Sequence, residues 1–359
     1  ALLCASVIAD DAPFLFEVSP LSSELSQKTV LQVYQDESGY LWILTQEGLN
    51  RWDGVDNLIF SSDVNIPGTI SGSDMRGIVQ DDDGFLWIGT FGGGLNRYTE
   101  KNQTFLSLRA SGDTDLSPYT DRIWSLTKGI DNQIWIGYRD GGFSVFDPRS
   151  RLFKHYTNER FEGITVHAVT DIEQDSSGVV WITTRGNGLL RLDPRADELV
   201  RYAGLGAAKL ELPSSDLTDV HIDGAGVLWI SGNHGISKIN LGAESVTNLS
   251  EITNSTELEF GSFQVTGIYE DNYGNLFFPT TEGLAYYDPS MGGIRMYTVE
   301  NSGLSHRRVL SIFQDRTSRY WIGTYNGLVT GVRSSFGLLN IGSGLSDDTV
   351  LSIAKAEDG

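Results

Sequence analysis

The stretch DDDGFLWIGTFGGGLNRYT at residues 81–99 decides the fold, because similar stretches recur along the whole chain. Three of them are DESGYLWILTQEGLNRWD at 36–53, DSSGVVWITTRGNGLLRLD at 175–193 and DGAGVLWISGNHGISKIN at 223–240. The central aromatic residue of this motif recurs about every 46 residues, a period typical of repeat architectures. It stands at Trp42, Trp87, Trp135, Trp181, Trp229, Phe277 and Trp321. The chain therefore contains seven copies of one structural unit.

Each unit consists of four short apolar runs separated by turn residues. In the last unit, for example, VLSIFQD at 309–315 is followed by YWIGT at 320–324. Such runs, rich in Val, Ile, Leu and aromatic residues and bounded by Gly, Asn and Asp, predict β-strands. No segment shows the 3.6-residue apolar periodicity of a capped helix. The sequence thus predicts an all-β fold, a seven-bladed β-propeller with four-stranded antiparallel blades.

The second run of each unit is apolar on both faces, as in Leu86, Trp87 and Ile88. A strand buried between two neighbouring blades has this pattern, so we interpret the repeated Trp as structural. The residue after the motif's Ile is mostly small, which would let neighbouring blades approach closely. A repeated acid stands three residues before a Gly, or before Ser318 in the last unit. We expect it to accept backbone N–H bonds in a turn rather than bind a metal.

Composition narrows the classes of function. The chain has 359 residues, 47 acidic and 26 basic, with a net charge of −21. Such a surface repels phosphate backbones, so we expect no nucleic-acid partner and no binding to anionic lipid. Apolar residues form 40% of the chain, enough for a large core. Cys4 is the one cysteine in the sequence, which excludes an internal disulfide.

The ends of the chain predict a domain organisation. Residues 1–9 are apolar with small residues near their end, as in the remnant of a signal peptide. A first β-strand, or a lipoprotein site at Cys4, would be the other interpretations. We expect residues 10–335 to form the propeller, closed by FLFEV at 14–18, which would add to the last blade. Residues 336–359 would begin a second propeller, since 345–359 resembles 25–39; the converse, closure by 336–340, stays open.

The repeat resembles that of the two-component regulator propeller family, most clearly in VQDDDGFLWIGTFGGGLNRY at 79–98. The third unit departs from the pattern with GIDNQIW at 129–135, and the sixth has FFPT at 277–280 in place of WIGT. The resemblance implies a periplasmic sensor, the extracytoplasmic part of an inner-membrane protein. It also implies a second propeller and a histidine kinase or diguanylate cyclase output domain in the same polypeptide. Implied partners are a small-molecule or oligosaccharide ligand and a possible homodimer, with no cofactor.

Candidate ligand-binding residues lie in the loops before strand one and between strands two and three. These loops open on one face of a propeller around its central channel, where ligands usually bind. Arginines there are notable in an acidic chain, and aromatic rings suit stacking on sugars. The alternative is a solvated rim whose arginines pair with nearby acids. The candidates are Arg76, Phe91, Arg122, Tyr138, Arg139, His167, Arg185, Asn187, His234, Arg307 and Tyr325.

Two other functions remain open at this stage. A propeller can be a non-catalytic scaffold for dimerisation, or a sialidase-like glycosidase. Asp82, Gly84 and Trp87 have the spacing of a sialidase Asp box, although Leu86 replaces its usual Thr. Glu47 and Glu282 occupy equivalent loops, and a glycosidase needs two such carboxylates. The sequence contains neither metal-ligand spacing among its five histidines nor a Gly-x-Ser-x-Gly motif. We therefore expect this part of the protein to have no catalytic residues and no metal.

Replacement of one repeated Trp tests the structural interpretation. We expect Trp87→Ala to lower the free energy of unfolding by about 3–5 kcal/mol, because a large buried side chain is removed. Equilibrium unfolding in urea measures the change. A loss below about 1 kcal/mol would contradict a core position for this residue.

Overall fold

The computed structural model describes residues 14–112, 115–157, 160–161, 166–204, 210–212, 214–249, 263–290 and 292–333. Their strands form seven sheets that surround a central channel. The predicted all-β seven-bladed propeller is confirmed. Two short 3₁₀ helices, Pro20–Ser23 and Ile130–Asn132, lie in connecting segments.

The first three blades each contain four antiparallel strands in sequence order. Blade one contains β2 (Val30–Gln35), β3 (Leu41–Thr45), β4 (Gly48–Trp52) and β5 (Asn57–Phe60). Blade two contains β6 (Met75–Gln80), β7 (Leu86–Thr90), β8 (Gly94–Thr99) and β9 (Thr104–Leu108). Blade three contains β10 (Ile123–Lys128), β11 (Ile134–Tyr138), β12 (Phe143–Asp147) and β13 (Leu152–Tyr156).

Blades four to six repeat this order, and blade four gains a short parallel fifth strand. Blade four contains β14 (Val169–Gln174), β15 (Val180–Thr184), β16 (Gly188–Asp193), β17 (Glu198–Gly204) and β18 (Leu210–Glu211). Blade five contains β19 (Leu217–Ile222), β20 (Leu228–Gly232), β21 (Gly235–Asn240) and β22 (Ser245–Asn248). Blade six contains β23 (Tyr269–Glu270), β24 (Leu276–Thr280), β25 (Gly283–Asp288) and β26 (Gly293–Tyr297).

Blade seven combines strands from both ends of the described chain. It contains β27 (Val309–Gln314), β28 (Tyr320–Thr324), β29 (Gly327–Arg333) and β1 (Phe14–Val18). β1 pairs antiparallel with β29, from Phe14 opposite Arg333 to Val18 opposite Val329. The strand FLFEV thus takes the outer place of the last blade. The predicted signal-peptide remnant at 1–9 and the second propeller at 336–359 lie outside the described residues.

The repeated aromatic side chain joins each blade to the next one. Trp42 of blade one, for example, packs against Met75, Ile78 and Ile88 of blade two. Trp321 packs in the same way against β2 and β3 of blade one, so the series returns to its start. Burial of one such side chain contributes roughly 2–3 kcal/mol. The interpretation of the repeated Trp as a packing residue agrees with this arrangement.

Five of the seven aromatic residues are also held by a hydrogen bond from the indole to the repeated acid, and this bond is buried in three blades and partly buried in two. In blade two, Trp87 Nε1 donates to Asp81 Oδ2 at 2.8 Å, while Asp81 Oδ1 accepts the backbone N–H of Phe85 at 2.8 Å. One carboxylate therefore fixes both the turn between strands one and two and the Trp. The same indole bond occurs in the pairs Trp42–Asp36, Trp181–Asp175, Trp229–Asp223 and Trp321–Asp315.

The two units that depart from the repeat use other partners. In blade three, Trp135 Nε1 donates to Gln174 of blade four at 3.2 Å, because Gly129 stands six residues before the Trp, where the other turns carry the repeated Asp. In blade six, the side chain of Phe277 has no N–H group to donate. Asp271 there accepts hydrogen bonds from Asn275 at 3.0 Å and from the Tyr320 hydroxyl of blade seven at 2.8 Å.

Small residues in the second strand allow the predicted close approach of blades. A Cβ atom on Gly89 would lie 2.6 Å from Cγ2 of Ile123, in the first strand of the next blade. A Cβ atom on Gly137 would lie 2.6 Å from Cγ1 of Val169, again in the next blade. Both distances are shorter than a van der Waals contact, so a larger residue would push the blades apart.

The dual role of the repeated acid can be tested at Asp81, which is 1% exposed. We expect Asp81→Ala to lower the free energy of unfolding by about 2–3 kcal/mol, because the buried indole N–H of Trp87 loses its acceptor. The matched control is Asp83→Ala in the same turn, where the side chain is half exposed. Urea unfolding should show little change for the control, and equal losses in the two variants would contradict the assignment.

Candidate functional site

The central channel is lined by the first strands of all seven blades and has a volume of about 360 Å³. Its wall includes polar side chains such as Gln32, Thr170, Asp171, Thr218 and Asp219. Volumes of this size are typical of small-ligand pockets. The channel is therefore large enough for a small molecule.

Two residues at the channel break the pattern of the repeat. Near the start of strand one, five blades carry Leu or Thr, whereas blade two carries Arg76 and blade three carries Trp124. Both side chains line the channel. A register shift in the first strand adjoins each of them, between Met75 and Gly77 and between Ile123 and Ser125. The same shift occurs in blades one, four, five and seven, so Arg76 and Trp124 occupy a shared backbone position at which the other blades carry the smaller Leu or Thr.

Trp124 is surrounded by guanidinium groups from three blades. The Cζ atoms of Arg76, Arg139 and Arg185 lie 4.4, 5.4 and 5.9 Å from its ring centroid. Each of these distances is within the range of cation–π attraction. Phe91 adds a second ring, 6.0 Å from Trp124 and at 77° to it. We call Arg76, Phe91, Arg122, Trp124, Arg139 and Arg185 the Trp124 cluster.

Two arginines of the cluster are paired with acids. Arg76 lies 2.6 Å from Asp74, and Arg122 lies 2.6 Å from Asp140. Arg76 and Arg122 also lie 5.6 and 4.6 Å from the Phe91 ring centroid. The contacts of these two arginines match the alternative interpretation, a solvated rim whose arginines pair with nearby acids. Their charge is compensated within the protein.

Arg139 and Arg185 differ from the other arginines of the cluster. In the part of the chain that the structure describes, neither guanidinium group forms an ion pair or a hydrogen bond. Their backbone N–H groups are bonded to Arg122 and Ala168, so the loops that carry them are fixed. Arg185 is solvent-exposed and Arg139 is half-buried. The cluster therefore offers two available cations beside an aromatic ring.

His167 and Asn187 lie next to this cluster in blade four. The backbone N–H of His167 donates to Asn187 Oδ1 at 3.0 Å, and the His167 ring lies beside Gly186. Asn187 lies two residues after Arg185, and Ala168, the residue after His167, accepts the backbone N–H of Arg185. Seven predicted candidates therefore belong to one neighbourhood on blades two to four, together with Trp124.

The remaining exposed candidates lie on other blades. Arg307 pairs with Glu282 at 2.9 Å, and both side chains are largely exposed. Tyr325 stacks on His306 with ring centroids 6.0 Å apart. His234 lies in blade five, beside a separate cavity of about 20 Å³. The structure does not join these residues to the Trp124 cluster.

The prediction that Tyr138 belongs to the accessible rim is wrong. Its side chain is fully buried and packs with Ile134, Ile136 and Phe146 in a blade interface. Its hydroxyl accepts the backbone N–H of Tyr119 at 3.2 Å, and burial raises the pKa of the phenol to about 12. The side chain completes strand β11 and contributes to the core rather than to the accessible rim.

A pair of acids in the channel wall was not among the predicted candidates. Asp171 and Asp219 hydrogen-bond each other, and Asp219 Oδ2 accepts the N–H of Ile268 at 2.7 Å. Burial raises the pKa of Asp171 to about 6, and burial with the nearby charge of Asp171 raises the pKa of Asp219 well above its ordinary value. The available signal was an Asp where other blades carry Gln, Gly or Ser at strand one.

A histidine also bridges the first strands of blades four to six. His221 lies 3.5 Å from Glu173 and 3.2 Å from Glu270. Burial lowers the pKa of His221, but its bonds to the two carboxylates outweigh burial and raise the pKa overall. Within the described residues, no group of three or more His, Cys, Asp or Glu side chains could hold a metal ion.

The channel acids give a pH-dependent prediction. A carboxyl whose folded pKa is raised stabilises the fold at low pH, and this stability is lost as pH rises above the ordinary value of 3.8 and past about 6. Asp219→Asn keeps a donor to Asp171 and an acceptor for Ile268, but it cannot ionise.

We expect this variant to gain stability over the unchanged protein as pH rises from 4 to 8, measured by urea unfolding at several pH values. The control is Asp216→Asn, at an exposed position in the same blade. A stability difference that stays constant with pH would contradict the raised pKa of Asp219.

Comparisons with known proteins agree with the architecture. The sequence pattern described as "Two component regulator propeller" matches residues 69–92 and 303–326. A curated relative, Histidine kinase P4 of Formosa agariphila, is 27% identical over 288 residues. The match covers 79% of this chain and 21% of that kinase, so the chain spans about a fifth of its relative's length.

Solved structures show the same fold. The extracellular domain of a hybrid two-component system from B. thetaiotaomicron is 22% identical with a TM-score of 0.77, covering 90% of this chain and 42% of that one. Virginiamycin B lyase from Staphylococcus aureus is 13% identical with a TM-score of 0.66, covering 89% and 99%. Among the described residues, no helix is long and apolar enough to cross a membrane. Two segments of the chain, 69–92 and 303–326, therefore match the two-component regulator propeller repeat, and they lie in blades two and seven of the ring described above.

Proposed function

We propose that this chain is the extracytoplasmic, ligand-sensing propeller of a transmembrane signalling receptor, and that it binds a saccharide or another small polar ligand. The Trp124 cluster at the channel is the proposed site. The rest of the polypeptide would supply a second propeller and a kinase or cyclase output domain. A homodimer would bring two such receptors together for signalling.

The observation that carries the proposal is the convergence of Arg139, Arg185 and Arg76 on one half-buried Trp ring beside a channel of about 360 Å³. A sugar ring can stack on an aromatic face, and the neighbouring guanidinium groups can donate several hydrogen bonds to its hydroxyl groups. Trp124 has no counterpart at this position in the other blades, so the repeat does not require it. The resemblance to a histidine kinase and to extracellular domains of two-component systems supports the sensory role.

The same geometry does not favour a glycosidase. Glu282, one of the two equivalent loop carboxylates, forms an ion pair with Arg307 on the next blade. Glu47 lies in blade one, so blade seven separates it from Glu282 in blade six. We therefore propose a binding function for the channel, without a catalytic step.

A thermal-shift screen of the 359-residue chain tests the proposal. The probes are neutral and acidic mono- and oligosaccharides, with small amino acids and dicarboxylates as other polar ligands. A ligand at 100 times its Kd should stabilise the fold by about 2.7 kcal/mol, which raises Tm by roughly 4 °C at this size. We expect at least one saccharide to produce such a shift.

The variant Trp124→Ala should abolish the shift, because it removes the aromatic face. Trp124 lies outside the buried core, so we expect the variant to fold. Arg307→Ala is the matched control on blade seven, and its shift should equal that of the unchanged protein. A screen without any shift, or a shift that Trp124→Ala leaves unchanged, would contradict this site.

A further inference from the structure

The charge around Trp124 is opposite to that of the whole protein. The chain carries a net charge of −21, yet three guanidinium groups lie within 5.9 Å of one ring centroid. Arg122 brings a fourth guanidinium to the neighbouring Phe91 ring, at 4.6 Å. Such a local concentration of positive charge in an acidic protein needs an explanation.

Acidic side chains compensate for only half of this charge. Asp74 pairs with Arg76 and Asp140 with Arg122, which leaves the charges of Arg139 and Arg185 uncompensated within the described residues. Asp171 and Asp219 also line the channel, but among the described residues neither forms an ion pair with an arginine of the cluster. Two of the four guanidinium groups thus have no acidic partner.

Two guanidinium groups without acidic partners beside one ring lower the stability of the fold unless an anion binds near them. Like charges separated by less than the Debye length of about 8 Å repel each other with little screening. Cation–π contact with one indole returns only about 0.5–1 kcal/mol at an exposed site. Arginine forks match carboxylate and sulfate oxygens with two parallel hydrogen bonds. A bound anion would therefore satisfy both the charge and the donors.

We infer that the ligand of the Trp124 cluster is an acidic saccharide, whose carboxylate or sulfate group is held by Arg139 and Arg185 while its ring lies against Trp124. This inference rests on the proposed function and adds the charge of the ligand. A saccharide of one or two rings suits the channel, whose volume lies near the lower end for small-molecule pockets. A long anionic polymer would have to present its end to the channel.

Isothermal titration calorimetry on the 359-residue chain, with two matched ligand pairs, tests this inference. One pair is a uronate disaccharide and its neutral, carboxyl-reduced form. The other pair is a sulfated disaccharide and its desulfated form. We expect one acidic member to bind at least tenfold more tightly than its neutral partner, and the pair that responds identifies the anionic group.

The arginine variants locate the contact. Arg139→Gln and Arg185→Gln keep the length of the side chain and remove its charge, so each should raise the Kd of the acidic ligand by about 10- to 100-fold. Arg139→Lys and Arg185→Lys should lose less, because they keep the charge but not the fork. Arg307→Gln, on blade seven, is the control and should leave the Kd unchanged.

Three outcomes decide between the two proposals. If neutral and acidic partners bind equally, and the Gln variants bind normally while Trp124→Ala does not, the charge inference fails and the proposed function stands. If Arg307→Gln weakens binding as much as the cluster variants, the attraction is a general surface effect and the inference is overturned. If no saccharide binds, or Trp124→Ala binds normally, the proposed function fails as well.

Discussion

The buried hydrogen bond between an indole N–H and an Asp carboxylate is the constraint on which most of this ring depends. A Trp between two blades must find an acceptor for its N–H, and a buried carboxylate must find several donors. In five blades the Trp N–H and the Asp carboxylate satisfy each other, as in the bond from Trp87 to Asp81. Because the same carboxylate also shapes the turn, one residue links local conformation to packing between blades. A second set of hydrogen bonds joins neighbouring blades. The backbone N–H of the residue after the Asp often donates to a side chain of the next blade, as the N–H of Glu37 does to Gln80 Oε1 at 2.8 Å.

These physical links explain what the sequence could predict of the fold. The period of the Trp residues and the apolar second strand were sufficient to predict seven blades, because only burial on both faces explains such a run. The turn role of Asp81 was predicted, but its bond to Trp87 was not, since spacing alone does not show where the second carboxylate oxygen points. The contact from Glu37 to Gln80 joins residues 43 apart in sequence. It becomes visible only when the blades are placed side by side.

The site was less predictable than the fold. Loop position predicted which residues would lie near the rim, but it gave neither their grouping nor their charge partners. Arg122 finds Asp140, whereas Arg139 finds no acid in the described part of the chain, and this difference depends on side-chain geometry. Tyr138 lies at the end of a strand and points into the core, so its assignment to the rim was wrong. The residue that groups them is Trp124, which replaces the Leu or Thr of other blades, and its contacts with three arginines are visible only in the folded ring.

The pairing of β1 with β29 has a consequence for how the ring assembles. It joins Phe14–Val18 to Gly327–Arg333, so the contacts with the greatest separation in sequence close the structure. Contacts of this kind form slowly, because a long loop must be ordered before they are gained. Until they form, Phe14 cannot reach its pocket among Phe277, Tyr286 and Tyr320. We therefore expect ring closure to be the last step of folding, and a partly folded chain to exist as an open arc with an apolar strand at each end.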